Sequence, residues 1–168
     1  MKYKPHQYQA IAERYALDHP RCGLFLDMGL GKTVVTLTVI DQLIYDYFDI
    51  ARGRILVIAP LRVAEDTWSR ESGKWDHLRH LRISKVLGSA KRRLQALSTP
   101  ADIYIINRDN VVWLIRQCGN RWPFDMVVVD ELSSFKNPKS QRFKALKKLS
   151  PLFQRFVGLT GTDRKSVV

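Results

Sequence analysis

Apolar residues along the chain fall into short continuous runs, separated by stretches in which they recur at helical spacing. Gly23-Leu24-Phe25-Leu26, Ile55-Leu56-Val57-Ile58-Ala59, Ile103-Tyr104-Ile105-Ile106, Met126-Val127-Val128-Val129 and Phe156-Val157-Gly158-Leu159-Thr160 are each the length of a buried strand. Arg82 to Leu87 reads as a further strand. Between them, Pro5 suits a helix start, after which Tyr8, Ile11, Ala12 and Tyr15 share one helical face. Leu37, Ile40, Ile44 and Tyr47 mark a second helix, and Ala64, Trp68, Glu71 and Trp75 a third whose two tryptophans belong to the core rather than to a base-stacking platform. Shorter patterns follow at Ala90, Arg93, Leu94 and Leu97, then at Val111, Val112, Ile115 and Cys118, and last at Phe143, Leu146 and Leu149. Strands and helices thus alternate, which predicts an α/β fold: a mostly parallel sheet with helices on both faces. Asp27, Pro60, Asn107, Asp130 and Thr160 all fall at the carboxyl ends of predicted strands, the edge where open α/β sheets bind ligands.

The chemistry on that edge centres on Leu26-Asp27-Met28-Gly29-Leu30-Gly31-Lys32-Thr33. Strand, glycine turn and a helix opening on Lys-Thr is a way to hold nucleotide phosphates. Glycine backbone approaches the anion closely, and the unpaired N–H groups of the helix start point at it. Lys32 would reach the β- and γ-phosphates, and the Thr33 hydroxyl would bind Mg²⁺. The strict pattern G-x-x-x-x-G-K-[ST] fails only at its first glycine, where Leu26 stands, and alone such a turn also arises by chance. A second run, Met126 to Val129, ends in Asp130-Glu131, suited to the Mg²⁺ shell and to orienting or deprotonating an attacking water. Together the two signals indicate a nucleotide-binding domain. Gln7, near the first helix start, carries the donor and acceptor that could read an adenine edge, although on its own it reads as a surface residue.

Composition adds a partner class. With 28 Lys and Arg against 16 Asp and Glu, the chain carries +12. From Lys136 to Arg155 there are seven cations and no acid; from Lys74 to Arg93 there are seven against one Asp. Such clusters fit nucleic acid, and each alone also fits a solvated basic surface. No apolar run approaches the ~18 residues of a membrane span. Met1-Lys2-Tyr3-Lys4-Pro5 lacks the apolar segment of a secretion signal. Cys22 and Cys118 offer neither metal spacing nor a disulfide framework, which fits a reducing cytoplasm.

With these residues in place, the chain resembles the Swi/Snf-type ATPases of helicase superfamily 2, over Tyr3 to Thr162. The match is to the first of that family's two RecA-like domains, so residues 1–162 are expected to form an N-terminal RecA-like ATP-binding domain with a P-loop. Lys4-Pro5-His6-Gln7 looks like the family's entry motif, which makes Gln7 the expected adenine reader. Asp27 to Thr33 is close to the family's D-E-M-G-L-G-K-T, which implies that Met28, Gly29, Leu30, Gly31, Lys32 and Thr33 hold ATP. Lys32, Asp130 and Glu131 would be catalytic, with Thr33 and Asp130 on Mg²⁺. Ala59-Pro60-Leu61 followed by Trp68, and Ile106-Asn107-Arg108, resemble motifs that touch the nucleic-acid backbone, so Arg62, Asn107 and Arg108 are the candidate phosphate contacts. Leu159-Thr160-Gly161-Thr162 resembles the motif coupling hydrolysis to movement. The implied function is the motor domain of a DNA-dependent helicase or translocase acting on duplex DNA.

The departures carry their own expectations. Where the family usually has D-E-[AG]-H, this chain has Asp130-Glu131-Leu132-Ser133, so a histidine link from γ-phosphate to coupling motif is missing. Asp163 to Val168 has no resemblance to the family and reads as a frameshift or cloning product. The family places ATP between two RecA-like domains, and the second supplies arginines worth roughly 10³–10⁵ in rate in comparable hydrolases. The isolated domain is therefore expected to bind nucleotide weakly and hydrolyse it slowly, until a second domain completes it in cis or in trans. A non-catalytic nucleic-acid-binding fragment is the alternative, and an NTPase that borrows its arginine from another subunit is a third reading.

Overall fold

The computed structural model describes residues 1–26, 31–50, 52–137 and 139–161. Six strands, β1 (Arg21–Phe25), β2 (Ile55–Ala59), β3 (Ile83–Val86), β4 (Ile103–Asn107), β5 (Met126–Val129) and β6 (Arg155–Thr160), form one sheet in the order β1-β6-β5-β2-β4-β3. Every pairing is parallel, so the mostly parallel expectation resolves to an all-parallel sheet. The central strands β2, β4 and β5 are buried along their whole length, because a parallel sheet covered on both faces leaves no polar side.

Alternation along these strands divides the interior into two cores. Ile55, Val57, Ile103, Ile105 and Val128 face one layer, built by α1 (Gln7–Asp18), α2 (Lys32–Asp41) and α3 (Trp68–Lys74). Leu56, Ile58, Tyr104, Ile106 and Val129 face the other, built by α4 (Ala90–Ser98), α5 (Val111–Cys118), α6 (Leu132–Phe135) and α7 (Gln141–Leu149). Leu37 and Ile40 of α2 are fully buried, each worth roughly 1.5–3 kcal/mol of burial. The predicted second helix runs on through a π turn, Gln42–Asp46, and Tyr47 lies exposed beyond it. No helix among the described residues is long and apolar enough to cross a membrane.

The first helix turns a different face inward from the one its apolar residues suggest. Gln9, Ala12, Glu13 and Ala16 are buried, whereas Tyr8, Ile11 and Tyr15 are exposed. Hydrogen bonds make this possible. Tyr3 Oη donates to Glu13 Oε1 at 2.6 Å, and Gln9 Oε1 accepts from the His6 backbone N–H at 2.9 Å, closing a capping box. Small alanines on the same stripe let α1 lie close to α2. Arg155, one cation of the basic run, is not available to a polyanion. It is buried and donates to the carbonyls of Ala16 and Leu17, capping the α1 terminus, and to Asp49 at 2.7 Å.

Candidate nucleotide and nucleic-acid sites

Both candidate sites lie along the carboxyl edge of the sheet. The first is a cleft of about 400 Å³ lined by Tyr3, Gln9, Gly31, Lys32, Thr33 and Trp75, among others. Gly31 is the N-cap of α2 with φ 78° and ψ 35°, and no side chain caps it among the described residues. That left-handed conformation favours glycine, and a Cβ built there would also lie 2.6 Å from Gln9 Nε2. The first N–H groups of α2 therefore open toward the cleft, as an anion site requires. The expectations for Met28, Gly29, Leu30 and Thr162, and for the tail from Asp163, lie outside the described residues.

Lys32 Nζ lies 3.3 Å from Asp130 Oδ1, joining the helix start to the carboxyl end of β5. Asp130 is 2% exposed. Its Oδ2 accepts from the Trp68 indole N–H at 3.3 Å, while Oδ1 has ion-pair proximity to Lys32 but no hydrogen-bond donor among the described residues. A buried carboxylate with one oxygen short of a donor is costly unless a cation completes it. This donor set fits Mg²⁺, which keeps to few protein carboxylates and takes the rest of its shell from phosphates and water. Among the described residues no group of three or more His, Cys, Asp or Glu could hold a metal unaided.

Glu131 follows in an unusual backbone state, φ 55° and ψ 56°, a left-handed conformation that costs a non-glycine residue about 1–3 kcal/mol. Arg108 Nη2 lies 3.5 Å from Glu131 Oε2, and Arg108 Nη1 donates to Ser134 Oγ. Ser134 Oγ in turn donates to the Glu131 carbonyl at 3.1 Å. Ser133, where the resembled family has histidine, is exposed, and among the described residues its hydroxyl bonds neither Thr160 nor Gly161. Leu132, where that family has a small residue, packs onto Gly158 of β6. Thr160 is buried, and its carbonyl accepts from Leu26 N–H at 3.3 Å, so the expected coupling segment of Thr160 and Gly161 adjoins Leu26, where the expected phosphate-binding stretch begins.

The second cleft, about 220 Å³, brings together Pro60, Leu61, Asn107, Arg108, Asp109 and Arg142. Asn107 is buried and fixed by Asn110 Nδ2, which donates to its Oδ1 at 2.6 Å. Arg62 is exposed at the start of the π turn before α3 and does not line this cleft.

Gln7 is exposed and does not line the nucleotide cleft; Gln9, two residues on, does. No motif announces Gln9: its capping box with His6 shows only in the structure, because histidine is outside the usual N-cap residue set. Trp68 is core, as its apolar neighbours imply, and it also supplies the donor to Asp130. Trp75 is half-buried and lines the nucleotide cleft, edge-on to Tyr3. Arg142 in the second cleft has no motif to announce it.

The pattern of the SNF2-related domain matches residues 6–163. The chain belongs to this family. The SNF2-related chain is 40% identical over 167 residues to protein p41 of Acyrthosiphon pisum secondary endosymbiont phage 1, covering 95% of itself and 36% of that protein. It is 25% identical over 162 residues to a protein of African swine fever virus named as an ATP-dependent RNA helicase, covering 95% of itself and 28% of that protein. The SWI2/SNF2 ATPase core of Sulfolobus solfataricus in complex with dsDNA superposes with a TM-score of 0.75 at 25% identity, over 99% of this chain and 34% of that one. The chain thus spans about a third of these relatives. Its fold is the RecA-like fold of SNF2 ATPase cores, and it is a helicase-like domain homologous to proteins named as ATP-dependent helicases.

Proposed function

We propose that residues 1–162 are the N-terminal ATP-binding domain of a DNA-dependent SNF2-type motor, which hydrolyses ATP with Mg²⁺ once a second RecA-like domain completes the site in cis or in trans. The observation that carries this is the Lys32–Asp130 pair at 3.3 Å, set between the open start of α2 and the end of β5. Lys32 and the backbone of Gly29 to Gly31 bind the phosphates, and Thr33 and Asp130 hold Mg²⁺, which when bound neutralises charge developing on the phosphate oxygens. Lys32 exchanges its carboxylate partner for phosphate as nucleotide enters. Gln9, rather than Gln7, reads adenine, and Trp75 and Tyr3 supply the apolar wall beside it. Glu131 orients the attacking water and takes its proton as the bond to the departing ADP breaks. Thr160, Gly161 and Thr162 carry the coupling, and Asn107 and Arg108, with the exposed Arg62 that follows the cleft residue Leu61, contact a duplex backbone. The Sulfolobus core bound to dsDNA supports DNA over RNA as the partner. The free cysteines Cys22 and Cys118 suit a cytoplasmic setting.

The test is ATP turnover with Mg²⁺, with and without duplex DNA, on this chain and on the chain joined to a second RecA-like domain. Turnover confined to the joined, DNA-stimulated protein is expected. DNA binding that ignores nucleotide, with a steep salt slope and no turnover in either form, would replace the motor by a non-catalytic binding module.

A further inference from the structure

We propose that Arg108 is a positioning residue that holds Glu131 aside until a nucleic-acid phosphate takes its guanidinium. This rests on the motor reading above and adds to it the route by which duplex DNA would accelerate hydrolysis.

The geometry is that of one cation shared between two sites. Arg108 is only 17% exposed, and it grips Glu131 twice: through the carboxylate at 3.5 Å, and through Ser134, whose hydroxyl bonds the Glu131 carbonyl. Glu131 sits in the left-handed backbone region, so the direction of its side chain depends on such outside contacts rather than on a relaxed helical conformation. The same guanidinium lines the second cleft beside Arg142. Arg142 faces Asp109 at 3.6 Å, but that carboxylate is 86% exposed and holds it weakly. Two arginines therefore border a cleft of about 220 Å³ that also presents the ends of β2 and β4.

Competition follows from the chemistry of the two anions. A phosphodiester seated in the cleft would meet both guanidinium forks, whereas the Glu131 carboxylate is 47% exposed and meets one. Phosphate binding would draw Arg108 toward the cleft, break its bridge to Ser134, and free Glu131 to turn to the water beside the γ-phosphate. No other contact in the described residues links the second cleft to a catalytic candidate so directly.

The test compares wild type with Arg108→Ala, Arg108→Lys and Ser134→Ala, in whichever form of the protein hydrolyses ATP in the experiment above. Ser134→Ala removes the bridge without removing a cation from the cleft, and it keeps the proposal testable should Arg108→Ala fold poorly. Both Arg108→Ala and Ser134→Ala are expected to raise DNA-free turnover about two- to fivefold, which is what a half-exposed ion pair can hold back. The ratio of DNA-stimulated to DNA-free turnover should shrink accordingly, with KM for ATP unchanged and Arg108→Lys intermediate. Ser134→Ala should keep the wild-type affinity for duplex DNA. A merely structural arginine would lower turnover instead. DNA-free turnover at or below the wild-type level in both alanine variants overturns the proposal while leaving the motor reading intact. Absence of wild-type turnover under every condition overturns both. Equal stimulation by inorganic phosphate at matched concentration would assign the cleft to a free anion and overturn the nucleic-acid competitor.

Discussion

Leu132 occupies the space that a side chain on Gly158 would need: a Cβ built on Gly158 would lie 2.3 Å from Leu132 Cδ2 and 3.2 Å from its Cγ. The two positions complement each other, a large residue after Glu131 matched by the smallest one on the neighbouring strand β6. This accounts for a leucine where the resembled family has alanine or glycine.

The complementarity predicts a rescue. Gly158→Ala should destabilise the domain by about 1–3 kcal/mol through overpacking, read as a shift in urea midpoint at constant slope. Adding Leu132→Ala should recover most of that loss. Strict additivity of the two changes would mean that they do not touch.

Gln9 and Gln7 make opposite predictions for nucleotide binding. Gln9→Ala should weaken ATP binding about two- to tenfold, the worth of one neutral hydrogen bond, and reduce discrimination between ATP and GTP. Gln7→Ala should leave both unchanged, because its side chain is exposed outside the cleft. Titration with a fluorescent ATP analogue distinguishes them, and the reverse pattern would restore Gln7 as the adenine reader.

Trp68 supplies the N–H that steadies one oxygen of Asp130. Trp68→Phe removes that donor, and hydrogen bonds to charged groups are worth about 1.5–3 kcal/mol, with lost volume adding to the effect. Calorimetry should show the loss of stability in wild-type Asp130 and a smaller one in an Asp130→Asn background. An equal loss in both would show that the indole contributes packing alone.

His77 should make stability depend on pH. Its Nε2 lies 2.8 Å from Thr38 Oγ1, whose own hydrogen goes to the Val34 carbonyl, so Nε2 donates and the buried Nδ1 has no hydrogen-bond partner among the described residues. Burial depresses the imidazole below its ordinary value, against the pull of Asp41 and Asp76 and with a small push from His80. The unfolded chain then binds more protons in the window below about pH 6.5, so this contribution is intact above that window and lost as pH falls through it. Glu13 and Asp41 are shifted upward by burial and act in the opposite sense. The diagnostic is therefore a difference: His77→Gln should shrink the gap in unfolding free energy between pH 7 and pH 5, and an unchanged gap would remove His77 from the account.

How far the sequence can be read depends on what buries each residue. β2, β4 and β5 were legible because covering both faces of a parallel sheet demands an unbroken apolar run, and Pro60 marks where β2 ends. The joining of Lys32 to Asp130 was legible for the same reason, since parallel strands bring their polar ends to one edge. The inward face of α1 was not, because Gln9 and Glu13 are buried by hydrogen bonds to His6 and Tyr3, while Tyr8, Ile11 and Tyr15 stay outside. Arg155 counted toward a basic surface until its carbonyl partners on α1 placed it inside. The grip of Arg108 on Glu131 depends on a left-handed backbone at a residue that gives no sign of it.

The strand order sets a timetable for folding. Among the described strands β1 pairs only with β6, the last of the six, with Arg21 opposite Phe156. On a ribosome adding about 5–20 residues per second, β1 waits on the order of ten seconds for its neighbour to be made. Until then β1 has no hydrogen-bonded partner among the described strands, and none of them spans the gap between it and β5, which Asp130 follows. Nucleotide therefore cannot act as an early template for this domain: the pocket is assembled only once β6 has been made, and a nascent chain stalled before β6 would expose an unpaired strand edge to aggregation.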